Sequence, residues 1–362
     1  IRGKLHYFGH WSDPDSALEL YLKQKDDLFA GRKPRVTSDG VTLHELVNRF
    51  LHAKKEATET GELKPRTWRD YERAGNLILK VLGSNRAADD LDQDDFAKLR
   101  ADMASRMDLV TLGNEIGRCR SVFNYGLKAR LLKHAPDYGL AFNKPSKKVL
   151  RINRAKKPKK LFSVTELRKL VYAAEPQLQA MVLLASNCGL GNTDCAELRF
   201  QHLDLAGGWL NFGRPKTGVD RRAKLWPETL DAIHKAVKSN EKIRGRVAPE
   251  LAEHVFLTKY GQHWSGSEKS CAITHACRKT LIEAGVYRPG LSFYALRHTF
   301  QTIGERSKDY QAVTAIMGHV DNSMAGVYRE EFDDSRLSAV AEYVRDWLFP
   351  RPTVGSSLDQ NA

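Results

Sequence analysis

From Val41 onward the apolar positions recur three and four residues apart, the spacing of one helix face. Leu43, Leu46, Val47, Phe50 and Leu51 make the first such stripe, within "VTLHELVNRFLHAKKEA". "RTWRDYERAGNLILKVLG" (66–83) predicts a second helix, with Thr67 as a candidate cap and Gly83 as a stop. "LDQDDFAKLRADM" (91–103) predicts a third. "VTLGNEIGRCRSVFNYGLKARLL" (110–132) predicts a fourth, with Ile116, Cys119, Val122 and Phe123 on one stripe. Four helices in roughly 95 residues describe a small all-α domain, taken as 41–138. Upstream, Leu5, Tyr7 and Phe8 alternate loosely and read as the end of a small β element. A short helix in "SDPDSALELYLKQKDDLFAG" and a break from Gly31 to Pro34 follow.

A second unit, 161–349, opens on "FSVTEL", where Ser163 and Glu166 fit a capping box. Helical patterns cover about 164–174, 177–188, 193–199, 227–239, 269–284, 293–306, 309–317, 323–330 and 335–348. "GWLNFGRPKTGVDRRAKLWP" (208–227) reads as a β-hairpin around Thr217-Gly218, and "HVFLT" (254–258) as a strand. The fold class is therefore mainly α with a small β-sheet: an all-α domain followed by an α+β domain. The tail, 350–362, has the composition of a disordered segment.

Between the units, 139–160 reads as a linker. Its part 144–160, "KPSKKVLRINRAKKPKK", has nine Lys or Arg in seventeen positions and no acid. Composition makes it a solvated tether, and Lys147, Lys148, Arg151, Arg154, Lys156 and Lys157 would equally lie against a phosphate backbone. The whole chain of 362 residues carries a net charge of +14, which favours a polyanionic partner, most often nucleic acid. Its five cysteines include no C-x-x-C pair, which argues for a reducing compartment and against a disulfide framework or a zinc site. No apolar run approaches a membrane span, and the start "IRGKLHYFGHW" is not a secretory signal. A cytoplasmic, nucleoid-associated protein is expected.

Three segments carry candidate chemistry. In "SFYALRHTF" (292–300), Tyr294 and Arg297 are three apart at a helix start and can face one spot suited to an anion. The hairpin places Arg214 and Lys216 two apart, on one face of a strand, with Arg221 and Arg222 following. "IMGHVDNSMAGVYRE" (316–330) ends a helix at Gly318-His319 and sets Tyr328 nine residues on. A tyrosine, ordinarily of pKa about 10, becomes a nucleophile only beside a base and fixed cations. Arg297, His319 and Lys216 are the right types for a phosphoryl centre. No Asp/Glu/His group has metal-ligand spacing in the sequence, which disfavours a two-metal nuclease.

The hairpin lysine, "LRHTF" and "MGHVDNSMAGVY", in this order, resemble the tyrosine recombinases, or phage-type integrases. The resemblance covers most of the chain. It makes 41–138 a core-binding domain, 161–349 a catalytic domain, and "GKLHYFGHW" within 1–34 the remnant of an arm-binding element. It implies site-specific recombination through a 3′-phosphotyrosyl intermediate on double-stranded DNA, with no cofactor or metal, in a homotetramer assembled through the C-terminal segment. It assigns Tyr328 as nucleophile, Arg297 as second phosphate arginine, Lys216 as general acid and His319 as a phosphate or tyrosine partner. Tyr294 stands where the family usually has histidine.

One departure is larger. In "CGLGNTDCAEL" (188–198) Gly191 stands where the family's first arginine is expected, and Asp194 where its acidic residue is. Loss of one such clamp costs on the order of 10² to 10³ in rate. Arg214, Arg221 or Arg222 are candidate substitutes, and so are the backbone N–H groups of the "GLGNT" turn. The other readings are a DNA-binding protein of this fold that is catalytically impaired, and a type IB topoisomerase-like strand-nicking activity.

Overall fold

The computed structural model describes residues 1–31, 34, 40–265, 271–320 and 332–350. The chain divides into two compact units, Ile1–Lys156 and Lys157–Ala362. The first begins with α1 (Pro14–Phe29); residues 1–11 form turns and coil, so the expected β element there is not found. Four helices then carry the core: α2 (Leu43–Glu59), α3 (Pro65–Leu82), α4 (Gln93–Ala104) and α5 (Leu109–Lys128). The apolar stripe of α2 is buried at Leu43, Leu46, Val47 and Phe50, and that of α5 at Ile116, Cys119, Val122 and Phe123. Thr42 and Glu45 close a capping box at the start of α2. α3 starts at Pro65, whose ring presets the first turn, and not at a Thr67 cap.

The basic linker is partly helical. Ser146 accepts the Val149 N–H and opens α6 (Lys147–Ala155). Lys147, Lys148, Arg151 and Arg154 fall on one face of α6 and are exposed, as are Lys156 and Lys157 beyond it. Val149 and Ile152, on the other face, are also exposed. The expected unstructured tether is thus corrected to an amphipathic basic helix with flanking coil.

In the second unit the Ser163–Glu166 capping box forms as expected at the head of α7 (Val164–Ala173). α8 (Pro176–Cys188) is the central helix, buried at eleven of its thirteen positions. It ends at Gly189, whose φ of 64° is left-handed and where a Cβ would sit 2.9 Å from Phe300. α9 (Asn192–Ala196) is shorter than expected and stops before Arg199. A three-stranded antiparallel sheet follows, β1 (Leu203–Asp204), β2 (Trp209–Asn211) and β3 (Arg222–Lys224), with Leu210 opposite both Leu203 and Ala223. "HVFLT" is not a strand. Its Val255, Phe256 and Leu257 are buried in an extended segment that touches Arg199 through one isolated bridge at His254. α10 (Pro227–Ser239), the short α11 (Glu241–Arg244) and α12 (Pro249–Ala252), α13 (Ala272–Glu283), α14 (Phe293–Gly304) and α15 (Tyr310–Ile316) lead to α16 (Asp334–Leu348).

α16 packs on its own unit: Leu337, Val340, Ala341, Val344 and Leu348 are buried, and Trp226 donates its indole N–H to the Ala341 carbonyl at 2.8 Å. The expected helix 323–330, with Tyr328, and all of the tail but its first residue lie outside the described residues.

Candidate phosphate-binding site

The site forms where three helix ends and one loop meet. α14 buries Phe293, Ala295, Leu296, Thr299 and Phe300, and Arg297 among them is only 2% exposed. Its guanidinium donates from Nη1 to the Gly189 carbonyl, and from Nη2 to the Met317 carbonyl at 2.7 Å and His319 Nε2 at 2.8 Å. Gly189 caps the C-terminus of α8 and Met317 that of α15. One cation therefore satisfies carbonyls at two negative helix ends. Burial, and then the neighbouring charge of Arg214, lower its pKa to about 10, so it remains cationic at neutral pH.

His319 follows Gly318, whose φ of 60° ends α15 in a left-handed cap. A guanidinium can only donate, so Nε2 accepts and the ring proton belongs on Nδ1. Burial, Arg297 and Arg214, in that order, lower the His319 pKa from 6.5 to about 4. Between these values the unfolded chain binds a proton that the folded chain refuses, so stability rises with pH across the window and is lost as pH falls through it. Acidifying from about pH 7 to about 5 is expected to lower the melting temperature, and His319→Gln to reduce that slope. Melting curves at several pH values check this; an unchanged slope in the variant counts against it.

Lys216 is not on a strand. β2 ends at Asn211, and Arg214 and Lys216 lie in the following loop and its turn. The loop is closed by Arg214 N–H to Val219 O at 2.8 Å and Gly218 N–H to Arg214 O at 2.9 Å. It is tied to the end of α15 by Thr217 Oγ1 (3.1 Å) and Arg214 Nη1 (3.4 Å), both donating to the Gly318 carbonyl. Lys216 is thereby exposed on a turn anchored beside His319.

Gly191 is extended (φ −95°, ψ 178°) and caps α9. Its N–H goes to Asp194 Oδ2 at 2.8 Å, so this donor of the "GLGNT" turn is already used. The ring of Tyr294 lies 3.7 Å from where a Gly191 Cβ would be. Asp194 also accepts from Arg221 Nη1 at 3.2 Å. Arg222 points elsewhere: it forks onto Asp334 at 2.6 and 2.7 Å, bonds Asn211 and stacks on Trp209. Arg297, His319, Arg214, Tyr294, Asp194 and Arg221 are thus brought together, with Lys216 on the turn tied to Gly318 beside them.

Sequence spacing did not signal one other cluster. Glu197, His254 and His263, far apart in the chain, bring potential ligand atoms within 4.8 Å of one another. The N–O separations to Glu197 are 4.0 and 3.7 Å, wider than the edge of about 3.3 Å of a tetrahedron around zinc.

The mixed unit thus brings two buried guanidiniums, Arg297 and Arg221, close to the His319 imidazole and the turn that carries Lys216, residue types suited to an anion. Residues 160–334 match the phage integrase family. These residues, just under half of the chain, are thus a phage integrase family domain, of the tyrosine recombinase kind. The tyrosine recombinase XerC of Pseudomonas entomophila (strain L48) is 27% identical over 238 residues, spanning 64% of this chain and 72% of that protein. XerC of Pseudomonas putida (strain W619) is 25% identical over 236 residues, with the same coverage. Among solved structures, a lambda integrase dimer bound to a COC′ core site aligns with a TM-score of 0.59 at 17% identity, over 88% of each chain. The Tn1549 transposon integrase with a circular intermediate DNA aligns at 0.61 and 16%, over 83% of this chain and 98% of that one.

Proposed function

We propose that this protein is a site-specific DNA recombinase that cuts and rejoins double-stranded DNA through a 3′-phosphotyrosyl bond to Tyr328. The observation that carries the reading is the hydrogen-bonded Arg297–His319 pair beside the anchored Lys216 turn. The Tyr328 hydroxyl oxygen attacks the scissile phosphorus while its proton passes to a water molecule. The P–O5′ bond breaks, and Lys216 gives a proton to the departing 5′ oxygen. Arg297 holds a non-bridging oxygen. A 5′-hydroxyl of a second DNA end then attacks the phosphotyrosine and releases Tyr328. The bond energy stays in the covalent link, so no nucleotide cofactor is consumed.

The test is covalent capture. A library of duplexes with randomised arms, nicked just past the cleavage point so that the short product escapes, should yield an SDS-stable protein–DNA adduct. No adduct in any round, with DNA binding intact, would sink the reading in favour of an impaired DNA-binding protein, the alternative that Gly191 favours. Plasmid relaxation without recombinants would favour the topoisomerase-like activity.

Lys216→Ala should slow adduct formation by roughly 10²-fold or more on ordinary DNA. The loss should nearly vanish when the bridging 5′ oxygen is replaced by sulfur, because a thiolate leaves without a proton. Equal losses on both substrates would remove Lys216 from the acid role.

The basic face of α6, with Lys147, Lys148, Arg151 and Arg154, and the adjoining Lys156 and Lys157 are proposed phosphate-backbone contacts. The homotetramer is proposed to form on DNA through the C-terminal segment, whose helix α16 buries Leu337, Val340, Ala341, Val344 and Leu348 on its own unit. Among the described residues no helix is long and apolar enough to cross a membrane, and a nucleoid location accords with that.

A further inference from the structure

We infer that Arg221 supplies the guanidinium that Gly191 lacks, donating to a non-bridging oxygen of the scissile phosphate when DNA binds. The inference rests on the recombinase reading and names a residue that serves it.

Four observations converge on Arg221. The first is the acid. Asp194 lies three residues beyond Gly191, its side chain is 9% exposed, and a carboxylate so placed needs a cation. Arg221 provides it from the edge of β3, with a side chain that is 0% exposed. The second is orientation: Nε donates to the Phe212 carbonyl at 2.9 Å, and the guanidinium lies over the Phe212 ring with 5.1 Å to its centroid. The third is an unfilled valence. Arg221 Nη2 is buried and has no hydrogen-bond partner among the described residues, although a buried charged donor without an acceptor is costly and demands an explanation. A phosphate oxygen is the acceptor that fits a guanidinium.

The fourth is space. Gly318 makes room for this side chain: a Cβ there would lie 2.6 Å from Arg221 Cδ and 2.7 Å from Cγ, while at Gly191 a Cβ would face Asp194 and Tyr294 at 3.5 and 3.7 Å. The stem of Arg221 therefore runs under the left-handed cap that precedes His319, toward the same Asp194 whose charge is felt by Arg297. The other sequence candidates are placed differently. Arg222 spends both edges of its fork on Asp334 and Asn211. Arg214 is half-buried and spends Nη1 on Gly318, and among the described residues it is Arg221 that pairs with Asp194. Because Arg221 is enclosed, its contact requires the side chains covering it to move aside on DNA binding.

The experiment uses the duplex recovered by covalent capture, in two forms: one with the ordinary scissile phosphate, the other with a methylphosphonate, which has no charge to clamp. Arg221→Met should lower the rate of adduct formation about 10²-fold on the phosphate. On the methylphosphonate it should cost less than about tenfold relative to wild type. Adding Gly191→Arg, at a position with an unstrained φ and only ordinary van der Waals neighbours, should recover about tenfold or more on the phosphate. Arg221→Lys keeps a cation for Asp194 should the methionine variant fail to fold, and should show the same substrate dependence. Equal losses on both substrates, without recovery by Gly191→Arg, would make Arg221 a structural partner of Asp194 only. No loss would make it idle. Wild-type protein that forms no adduct overturns the recombinase reading and this inference together, whereas an active wild type with insensitive Arg221 variants overturns the inference alone.

Discussion

Tyr328→Phe is expected to bind DNA as the wild type does and to form no SDS-stable adduct, a loss of roughly 10⁴-fold or more. The change removes a single oxygen, so packing and charge are kept while the only proposed nucleophile disappears. Tyr328 lies outside the described residues. The prediction therefore rests on its position nine residues after His319 and on the phosphate site that the described residues build. Three guanidiniums, those of Arg214, Arg221 and Arg297, act electrostatically in this place, against the carboxylate of Asp194 among the described residues. Such an excess of fixed positive charge favours a phenolate and a phosphate dianion-like transition state over their neutral forms. Denaturing gels measure the adduct and fluorescence anisotropy the binding. Adduct that persists in the variant would transfer the role to another residue.

Arg297→Ala should fail in two ways at once. Adduct formation should fall by about 10³-fold or more, as for loss of a preorganised charge donor. The catalytic unit should also lose about 2–5 kcal/mol of stability, because the Gly189 and Met317 carbonyls and His319 Nε2 are left without their donor. Denaturant unfolding and the capture assay, run at a temperature where the variant is still folded, separate the two effects. Arg297→Lys keeps the charge but not the fork, so it should recover part of the stability and little of the rate. A variant that cleaves at the wild-type rate would remove Arg297 from the phosphate; one that is as stable as wild type would contradict its bridging role.

The helices that bury a clean stripe were legible in the sequence, and so was the capping box at Ser163 and Glu166, because one period or one local motif decides each. The segment "HVFLT" was misread for the opposite reason. Val255, Phe256 and Leu257 are all buried, and a short continuous apolar run carries no period to say what pairs with it. In the linker, charge composition outweighed the Ser146 cap and the one-sided spacing of Lys147, Arg151 and Arg154 that make α6 a helix. Lys216 was read on a strand because the hairpin was drawn too long; β2 is only three residues. Arg297, His319 and Lys216 could be named from local motifs. The pairing of Arg221 with Asp194 could not, since nothing in the chain between these residues, twenty-seven positions apart, says that the two meet.

The bridge that Arg297 makes between two helix ends bears on how this family should be compared. A chain that stopped cutting DNA but still had to fold would be under pressure to keep Arg297, since losing it loosens α8 from α15. Gly191 shows the reverse case: an extended cap residue whose site tolerates either the presence or the absence of a side chain. Survival of an arginine here is thus a poor witness to survival of the reaction. Lys216 is the better witness. It is exposed on its turn, and among the described residues it holds nothing together. Across relatives, the joint retention of a lysine at this turn and a tyrosine at position 328 should track strand cleavage, while Arg297 should track the fold.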